Sequence, residues 1–200
     1  AVLIPNLKLN KNSGNVLTLN SPLYISNNLD LSNGIINSNT TNFLQLNDNA
    51  TVTGASAASH VNGVVQKAGD DAFSFPIGTA TTYNPVAMTA PGNATDVFSA
   101  IYNTGNPYDT SSHAPTVSRV SKCEHWDVQR LNGTSNVALT FTYDQPCTGP
   151  GYITNPVNVH IVHWNGTIWD DLGNGGYTGG QTGTVTTAGL VSTFSPFTLA

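Results

Sequence analysis

The stretch SHVNGVVQKAGDDAFSFPIGT, residues 59–79, decides the fold because the sequence pattern changes within it. It gathers a histidine, a lysine and two adjacent aspartates in a chain in which 8% of the residues are charged. Short repeated units precede it, and longer runs separated by Gly and Pro follow it. We therefore expect Lys67, Asp70 and Asp71 to be turn and junction residues, with Lys67 paired to one of the two aspartates.

Residues 1–58 repeat a short unit in which apolar and polar residues alternate before an Asn or a Ser. The units are LKLN (7–10), LTLN (17–20), LYIS (23–26), LDLS (29–32) and LQLN (44–47). Leu17, Leu23, Leu29 and Ile35 are six residues apart, which indicates short strands joined by polar corners. This spacing predicts a parallel β-solenoid with roughly 20 residues per turn. A solenoid this short needs a cap on at least one end, and its N-terminal end is expected to be unprotected.

Residues 59–200 contain longer runs rich in β-branched and aromatic residues, separated by Gly, Pro and Asn-Gly turns. Such runs without a helical stripe predict an antiparallel β-sandwich. Asn165 and Gly166 are the preferred pair for a two-residue hairpin turn. Phe73 and Phe75 should point to one face of a strand and anchor a sheet. We therefore expect an all-β chain, with a solenoid stub at 1–58 and a sandwich domain at 59–200.

The composition is typical of a secreted β-protein, because neutral polar residues rather than ions must cover its surface. The net charge of −5 and the scarcity of Lys and Arg argue against nucleic acid and against anionic membranes. No run approaches the roughly 18 consecutive apolar residues that a membrane-spanning helix needs. The expected location is therefore outside the cell or on its surface, without membrane insertion.

The chain has two cysteines, Cys123 and Cys147, whose expected state depends on this location. A pair in a chain of secreted composition favours a disulfide over a metal site, which would need further ligands at short spacing. Two unrelated buried thiols are the alternative.

Catalytic and metal sites find weak support in the sequence. His160 and His163 are three residues apart on an expected strand and should point to opposite faces, so one ion could not readily take both. A hydrolase would need two facing carboxylates, or a nucleophile and a base in one pocket, and the sequence brings no such set together. We therefore expect no enzymatic activity and no required cofactor. The candidates for structural calcium are loop carboxylates, with solvated turn aspartates as the alternative: Asp70, Asp71, Asp170 and Asp171.

Aromatic side chains offer the other candidate site. Sugar rings present apolar CH faces that stack on exposed aromatic rings, while Asn and Thr side chains can bind hydroxyls. The candidate ligand-binding residues are Trp126, Trp164, Trp169 and Tyr177. The alternative is that tryptophans flanking a hairpin fill the core of the fold.

The order of motifs resembles a segment of large secreted surface proteins of the Bacteroidota. In those proteins an LxLN-type repeat leads into V-x-G-x-V-x-K-x-G, then F-x-FPIG and Tyr-x-Pro, as residues 59–86 do here. The resemblance continues through ATDVFSAIY (94–102), EHWDVQR (124–130), HWNGTIWDDLG (163–173) and STFSPFTLA (192–200). It implies an adhesin or gliding-associated module exported by type IX secretion, and it carries no catalytic residues.

Two hypotheses for function follow. The first is a non-enzymatic extracellular module that acts as a spacer or adhesive unit of a surface protein or filament. Its partners would be neighbouring modules or further copies of itself, docked through the open solenoid end. The alternative is a carbohydrate-binding module that recognises surface glycans through exposed aromatic rings.

Overall fold

The computed structural model describes residues 1–12, 15–144, 153 and 155–200. These residues form an all-β fold with a single short 3-10 turn at Pro156–Asn158. Among them no helix is long and apolar enough to cross a bilayer. In chain order the strands are β1 (Val2–Asn10), β2 (Val16–Thr18), β3 (Leu23–Asn37), β4 (Leu44–Leu46), β5 (Thr51–Thr53), β6 (Ser59–Asn62), β7 (Val65–Ala68), β8 (Phe73–Phe75), β9 (Ile77–Gly78), β10 (Val86–Met88), β11 (Val97–Thr104), β12 (Glu124–Asn132), β13 (Leu139–Tyr143), β14 (Ile161–Trp164), β15 (Trp169–Asp171), β16 (Gly176–Gly179), β17 (Gly183–Thr186) and β18 (Pro196–Leu199).

The first part of the chain is a solenoid-like parallel stack, as the repeat predicts. Val2 pairs with Leu23, Leu23 with Leu44, and Leu44 with Val65. Each of these steps advances the chain by 21 residues, close to the expected 20. The central strand differs from the prediction, because β3 is one continuous strand of 15 residues rather than several short ones. At the corners of the coil this strand is not interrupted; instead, its pairing register with β1 shifts.

Stacked asparagines hold the corners of this coil together. Asn27 donates from Nδ2 to Oδ1 of Asn6 over 2.7 Å, and Asn62 donates to Oδ1 of Asn37 over 3.0 Å. Each bond joins one coil to the next, so it supplies a hydrogen-bond partner to polar side chains at the corners, where fewer ladder bonds are available. These four corner asparagines are therefore structural.

Parallel pairing continues past residue 58, the expected end of the solenoid segment. β4 pairs with β7, β3 pairs with β6, and β6 pairs with β9, all in parallel. The run Val61–Lys67 is divided between β6 and β7 at Gly63. Gly63 has φ +131°, and a Cβ there would collide with the carbonyl of Ser38. A glycine is required because the chain turns directly over the coil below.

Antiparallel pairing begins on the far side of β7. The described residues form a thirteen-stranded sheet in the order β15-β14-β18-β12-β11-β7-β4-β3-β6-β9, with β1, β2 and β5 also paired to β3. They also form a five-stranded antiparallel sheet in the order β16-β17-β13-β10-β8. β7 therefore pairs in parallel with β4 on one side and antiparallel with β11 on the other.

Aromatic side chains fill the core between the antiparallel strands. Phe141 of β13 packs its ring 5.2 Å from Trp126 of β12 and 5.6 Å from Phe197 of β18. Phe73 and Phe75 are buried on one face of β8, with ring centroids 5.0 Å apart. The Phe141 contacts join the five-stranded sheet to the thirteen-stranded one. A second, smaller cluster contains Val117, Val120, Val162 and Trp169.

Gly63→Ala should destabilise the fold, because the residue would be strained at positive φ and would press on Ser38. We expect the free energy of unfolding to fall by about 2–3 kcal/mol. Urea unfolding followed by circular dichroism measures it. Gly180→Ala is the control, since a Cβ at Gly180 meets no atom within 4 Å. An equal loss of stability in the two variants would contradict the close approach at Ser38.

Candidate functional site

Lys67 lies inside the coil rather than on its surface. It continues an interior column of paired residues that begins with Ile4, Ile25 and Leu46. Its side chain is fully buried. The ammonium group donates to the carbonyl of Asn47 at 2.9 Å, to that of Ala50 at 3.4 Å and to Oδ2 of Asp71 at 2.9 Å. The junction therefore contains a buried cation whose hydrogen bonds are made by the preceding coil and by the turn that follows.

The sequence predicted that Lys67 pairs with Asp70 or Asp71, and the structure shows that the partner is Asp71. Its Oδ2 also accepts the backbone N–H of Asn49 at 2.9 Å. The hydrogen bond from Lys67, followed by that from Asn49, holds the pKa of Asp71 below its usual value. Asp71 is about one-third exposed, while its lysine partner has no contact with solvent. Within the pair, Lys67 therefore closes the interior of the coil, and the Asp71 carboxylate contacts solvent.

Two of the four calcium candidates lie together. Asp70 and Asp71 are joined by Asp48, and the three carboxylates place ligand atoms within 4.8 Å of one another. Calcium takes six to eight oxygens, so this cluster would need further ligands, and Lys67 already supplies a positive charge to Asp71. Structural calcium at Asp70 and Asp71 stays a prediction.

Asp170 and Asp171 do not join that cluster. β15 lies five places from β7 in the sheet, roughly 24 Å away at the usual strand spacing. Asp170 accepts hydrogen bonds from Nδ2 of Asn165, whereas Asp171 bonds Nδ1 of His160 at 2.9 Å. Burial opposes ionisation of Asp171, but bonds from Thr116, Gly173 and His160 outweigh it and lower its pKa. The pairs Asp70-Asp71 and Asp170-Asp171 therefore do not place two carboxylates opposite each other across a cleft.

His160 and His163 point to different environments, as the strand alternation predicts. His160 lines a cavity of about 260 Å³ with Thr116 and Ser118. His163 is buried, lines a separate cavity of about 520 Å³, and packs its ring 5.0 Å from Phe197. Burial lowers the pKa of His163, and the nearby Asp170 opposes this shift. A shared metal ion between the two histidines has no geometric support.

Ser195 and His163 form a contact of the kind that a hydrolase would use. Ser195 Oγ lies 2.7 Å from Nε2 of His163 and 2.5 Å from the carbonyl of Trp164. A carbonyl can accept but cannot donate, so the single hydroxyl proton is directed to Trp164. Nε2 of His163 must then carry a hydrogen and donate to Ser195. In this arrangement the imidazole cannot take the proton of the serine, so the contact lacks the activation that nucleophilic catalysis needs.

The aromatic candidates divide into buried and accessible residues. Trp126 and Trp169 are fully buried and present no face to a ligand, because they fill the two apolar clusters. Trp164 is half-buried, and Tyr177 is 45% exposed on β16. Stacking on a sugar is therefore confined, among the four, to Trp164 and Tyr177.

A polar and aromatic cluster surrounds Trp164 on the outer face of the thirteen-stranded sheet. The half-buried ring of Tyr108 lies 5.7 Å from that of Trp164 and 5.8 Å from that of His125. Nε2 of His125 is 3.7 Å from Oδ2 of Asp127, which also accepts Nδ2 of Asn103 at 3.2 Å. Burial raises the pKa of Asp127, although His125 and Asn103 oppose the shift. This group joins an aromatic surface to a carboxylate, an amide and an imidazole.

The remaining predicted site is the disulfide. Cys123 is half-buried and immediately precedes β12, whereas Cys147 lies outside the described residues. The Cys123–Cys147 bond therefore stays a prediction.

Several of these residues escaped the sequence-based interpretation. Counting in steps of 21 from Asn27 would have found Asp48, which occupies the same corner one coil later, and then Gly69. A Cβ at Gly69 would collide with Oδ1 of Asp48, which explains the glycine. Asp127 and Asn103 had no such signal, because the sheet order that places them near Tyr108 is non-local.

The stability of the fold should depend on the ionisation of Asp71. Its pKa is depressed in the folded chain, so its contribution is present above the unfolded pKa near 4 and is lost as the pH falls through the folded value. Urea unfolding at a series of pH values should therefore show a smaller acid-induced loss of stability for Asp71→Asn than for the wild type. Asp70→Asn is the matched control, since it removes a charge from the same cluster without removing the Lys67 contact. Parallel pH profiles for wild type and Asp71→Asn would contradict this role.

Comparisons with known proteins leave the site to be interpreted from its geometry. No protein-family model, no curated protein and no solved structure matches the chain. The resemblance to bacterial surface proteins therefore rests on the order of motifs quoted above.

Proposed function

We propose that the chain is a non-enzymatic structural and adhesive module of a large bacterial surface protein or filament. In this proposal a short solenoid stub is closed by a β-sandwich, formed where the five-stranded sheet packs on the antiparallel strands of the larger one. The ordered motifs, the low charge and the stacked asparagines support it. The residues 59–78, which begin the proposed second domain, also complete the last parallel coil.

The observation that carries the proposal is the difference between the two ends of the coil. At the C-terminal end of the coil, the Lys67–Asp71 pair closes the interior, and β7 pairs antiparallel with β11. At the N-terminal end, called the open coil end below, β1 pairs with β3 alone among the described strands. Three apolar side chains there are unusually exposed: Val2 at 48%, Leu3 at 64% and Val16 at 40%.

An end of this kind favours stacking on another coil. Unpaired backbone groups of an edge strand are a template for further pairing, and repeat proteins normally protect their terminal repeats. The partner proposed for this surface is a neighbouring module or a second copy of the chain. Stacking would bury Leu3 and continue the parallel ladder into the neighbouring module or copy.

The location outside the cell belongs to the same proposal. Neutral polar residues cover the surface, as in secreted β-proteins, and export by type IX secretion follows from the resemblance to Bacteroidota proteins. The proposed Cys123–Cys147 disulfide fits an oxidising compartment. An adhesive role would also need a surface that recognises glycans, and the half-buried Trp164 with its polar neighbours is the feature that favours carbohydrate binding as the alternative function.

Leu3→Asp should abolish self-association through the open coil end. Light scattering coupled to size-exclusion chromatography measures the average mass as protein concentration rises. We expect the mass of the wild type to rise, and Leu3→Asp to stay monomeric because it places a charge on the docking surface. Leu190→Asp is the matched control, because Leu190 is equally exposed, at 66%, but lies outside the coil. A monomeric wild type at every concentration, with no filaments by electron microscopy, would contradict self-association.

A further inference from the structure

A cavity separates two edge strands where the coil meets the five-stranded sheet. β5 pairs with β3 alone among the described strands, and β8 is the last strand of the five-stranded sheet. One edge of each strand therefore has no strand partner among the described residues. A single cavity of about 350 Å³, called the junction cavity below, is lined by residues 49–52 at the start of β5 and residues 71–74 at the start of β8. The two edge strands thus border the same space.

The junction cavity lies where the coil would add its next parallel strand. One coil step of 21 residues carries β5 onto residues 72–74, which overlap β8. β8 is not added to β5, because it pairs antiparallel with β10 of the five-stranded sheet. At one end of the gap, the N–H of Asn49 donates to Oδ2 of Asp71 at 2.9 Å. The parallel ladder therefore stops at β5 on this face of the coil.

The size and the burial pattern of the junction cavity suit an added strand. Unpaired strand edges are templates for a further strand, and an extended peptide can supply it. A strand residue occupies about 160 Å³ at the usual rise, strand spacing and sheet spacing, so the cavity holds about two residues. Val52 is half-buried between the exposed Thr51 and Thr53. An added strand would match this pattern with an apolar side chain flanked by polar ones.

The charge beside the junction cavity selects a basic segment. Asp71 lines the cavity, and its carboxylate has an oxygen within 4.8 Å of oxygens of Asp48 and Asp70. Lys67 supplies one positive charge to this group through Asp71. Three carboxylates against one ammonium leave an excess of negative charge, which attracts a Lys or Arg side chain and repels an acidic segment.

We propose that the junction cavity binds a basic, extended peptide segment of a partner protein by strand addition. The segment pairs with the free edge of β5 and covers Val52 with an apolar side chain. A Lys or Arg beside that residue contacts the carboxylates of Asp48 and Asp70. This interaction surface lies at the opposite end of the coil from the open coil end, so it does not depend on the self-association proposed above.

The test uses a peptide with the sequence of residues 5–12, PNLKLNKN, which alternates leucine with polar residues and carries Lys8 and Lys11. Fluorescence anisotropy of the labelled peptide is measured against the intact chain, with EDTA present so that calcium does not compete for the carboxylates. We expect saturable binding. The same peptide with Lys8→Glu and Lys11→Glu should bind at least about tenfold more weakly, because two attractive charges become repulsive. A peptide N-methylated at Lys8 and Leu9 keeps its side chains and should also lose binding, since strand addition needs backbone N–H groups.

Variants of the chain locate the binding site. Ser74→Trp should abolish binding, because Ser74 is exposed and lines the cavity, which the larger side chain would fill. Thr167→Trp is the matched control, an exposed position on the β14–β15 hairpin outside the cavity lining. Asp70→Asn should weaken binding about three- to fivefold, as expected for an exposed ion pair. Leu3→Asp, which alters the open coil end, should leave peptide binding unchanged.

Four results would overturn the strand-addition site. They are no binding of the lysine peptide, equal binding of the glutamate peptide, equal binding of the N-methylated peptide, and binding that is lost in Leu3→Asp but kept in Ser74→Trp. The last result would place the peptide at the open coil end instead. Self-association of Ser74→Trp is measured separately by light scattering, so failure of the cavity and failure of the proposed stacking are distinguishable.

Discussion

The ammonium group of Lys67 contacts two successive parts of the chain at once. Through Asn47 and Ala50 it binds the turn of the third coil, and through Asp71 it binds the segment that leads into the five-stranded sheet. A buried cation is costly unless its hydrogen bonds are made, so these contacts must form together. They fix the register of β7 on β4 and the path of the chain into β8. Together with the bond from Asn49 to Asp71, the Lys67 side chain thereby links the coil to the second sheet.

This closure also explains why the residue types change in the last coil. An interior column of Ile and Leu ends in Lys67, and the corner that holds Asn27 and Asp48 ends in Gly69. A further apolar and asparagine-rich coil would invite more parallel stacking. On the face that carries Lys67 the parallel stack ends at β7, which pairs antiparallel with β11 on its other side. Among the described residues, the N-terminal end of the coil has no buried ion pair of this kind, and we propose the docking surface there.

Local pattern was sufficient for much of the fold. Period-two alternation and regular Asn residues predicted a parallel coil with about the observed number of residues per turn. Asn165-Gly166 predicted the β14–β15 hairpin, but the expected two-residue turn is wrong. Trp164 pairs with Trp169, so residues 165–168 form the loop, in which Oδ1 of Asn165 accepts the N–H groups of Thr167 and Ile168. The burial of Lys67 could not be predicted in this way, since lysine is normally exposed and its acceptors lie up to 20 residues away. The same limit applies to Tyr108, Trp164 and Asp127, which meet because β18 is inserted between β12 and β14. Tryptophan identity alone could not separate core residues such as Trp126 from the accessible Trp164.

A double-mutant cycle on Lys67 and Asp71 tests the closure most directly. Urea unfolding would give the free energies of the wild type, Lys67→Met, Asp71→Asn and the double variant. If the pair closes the coil, each single substitution destabilises the fold, and the double variant loses less stability than the two effects added together. The expected coupling energy is about 1–3 kcal/mol. Additive effects, or a Lys67→Met variant more stable than the wild type, would contradict the view that this ion pair holds the coil to the second sheet.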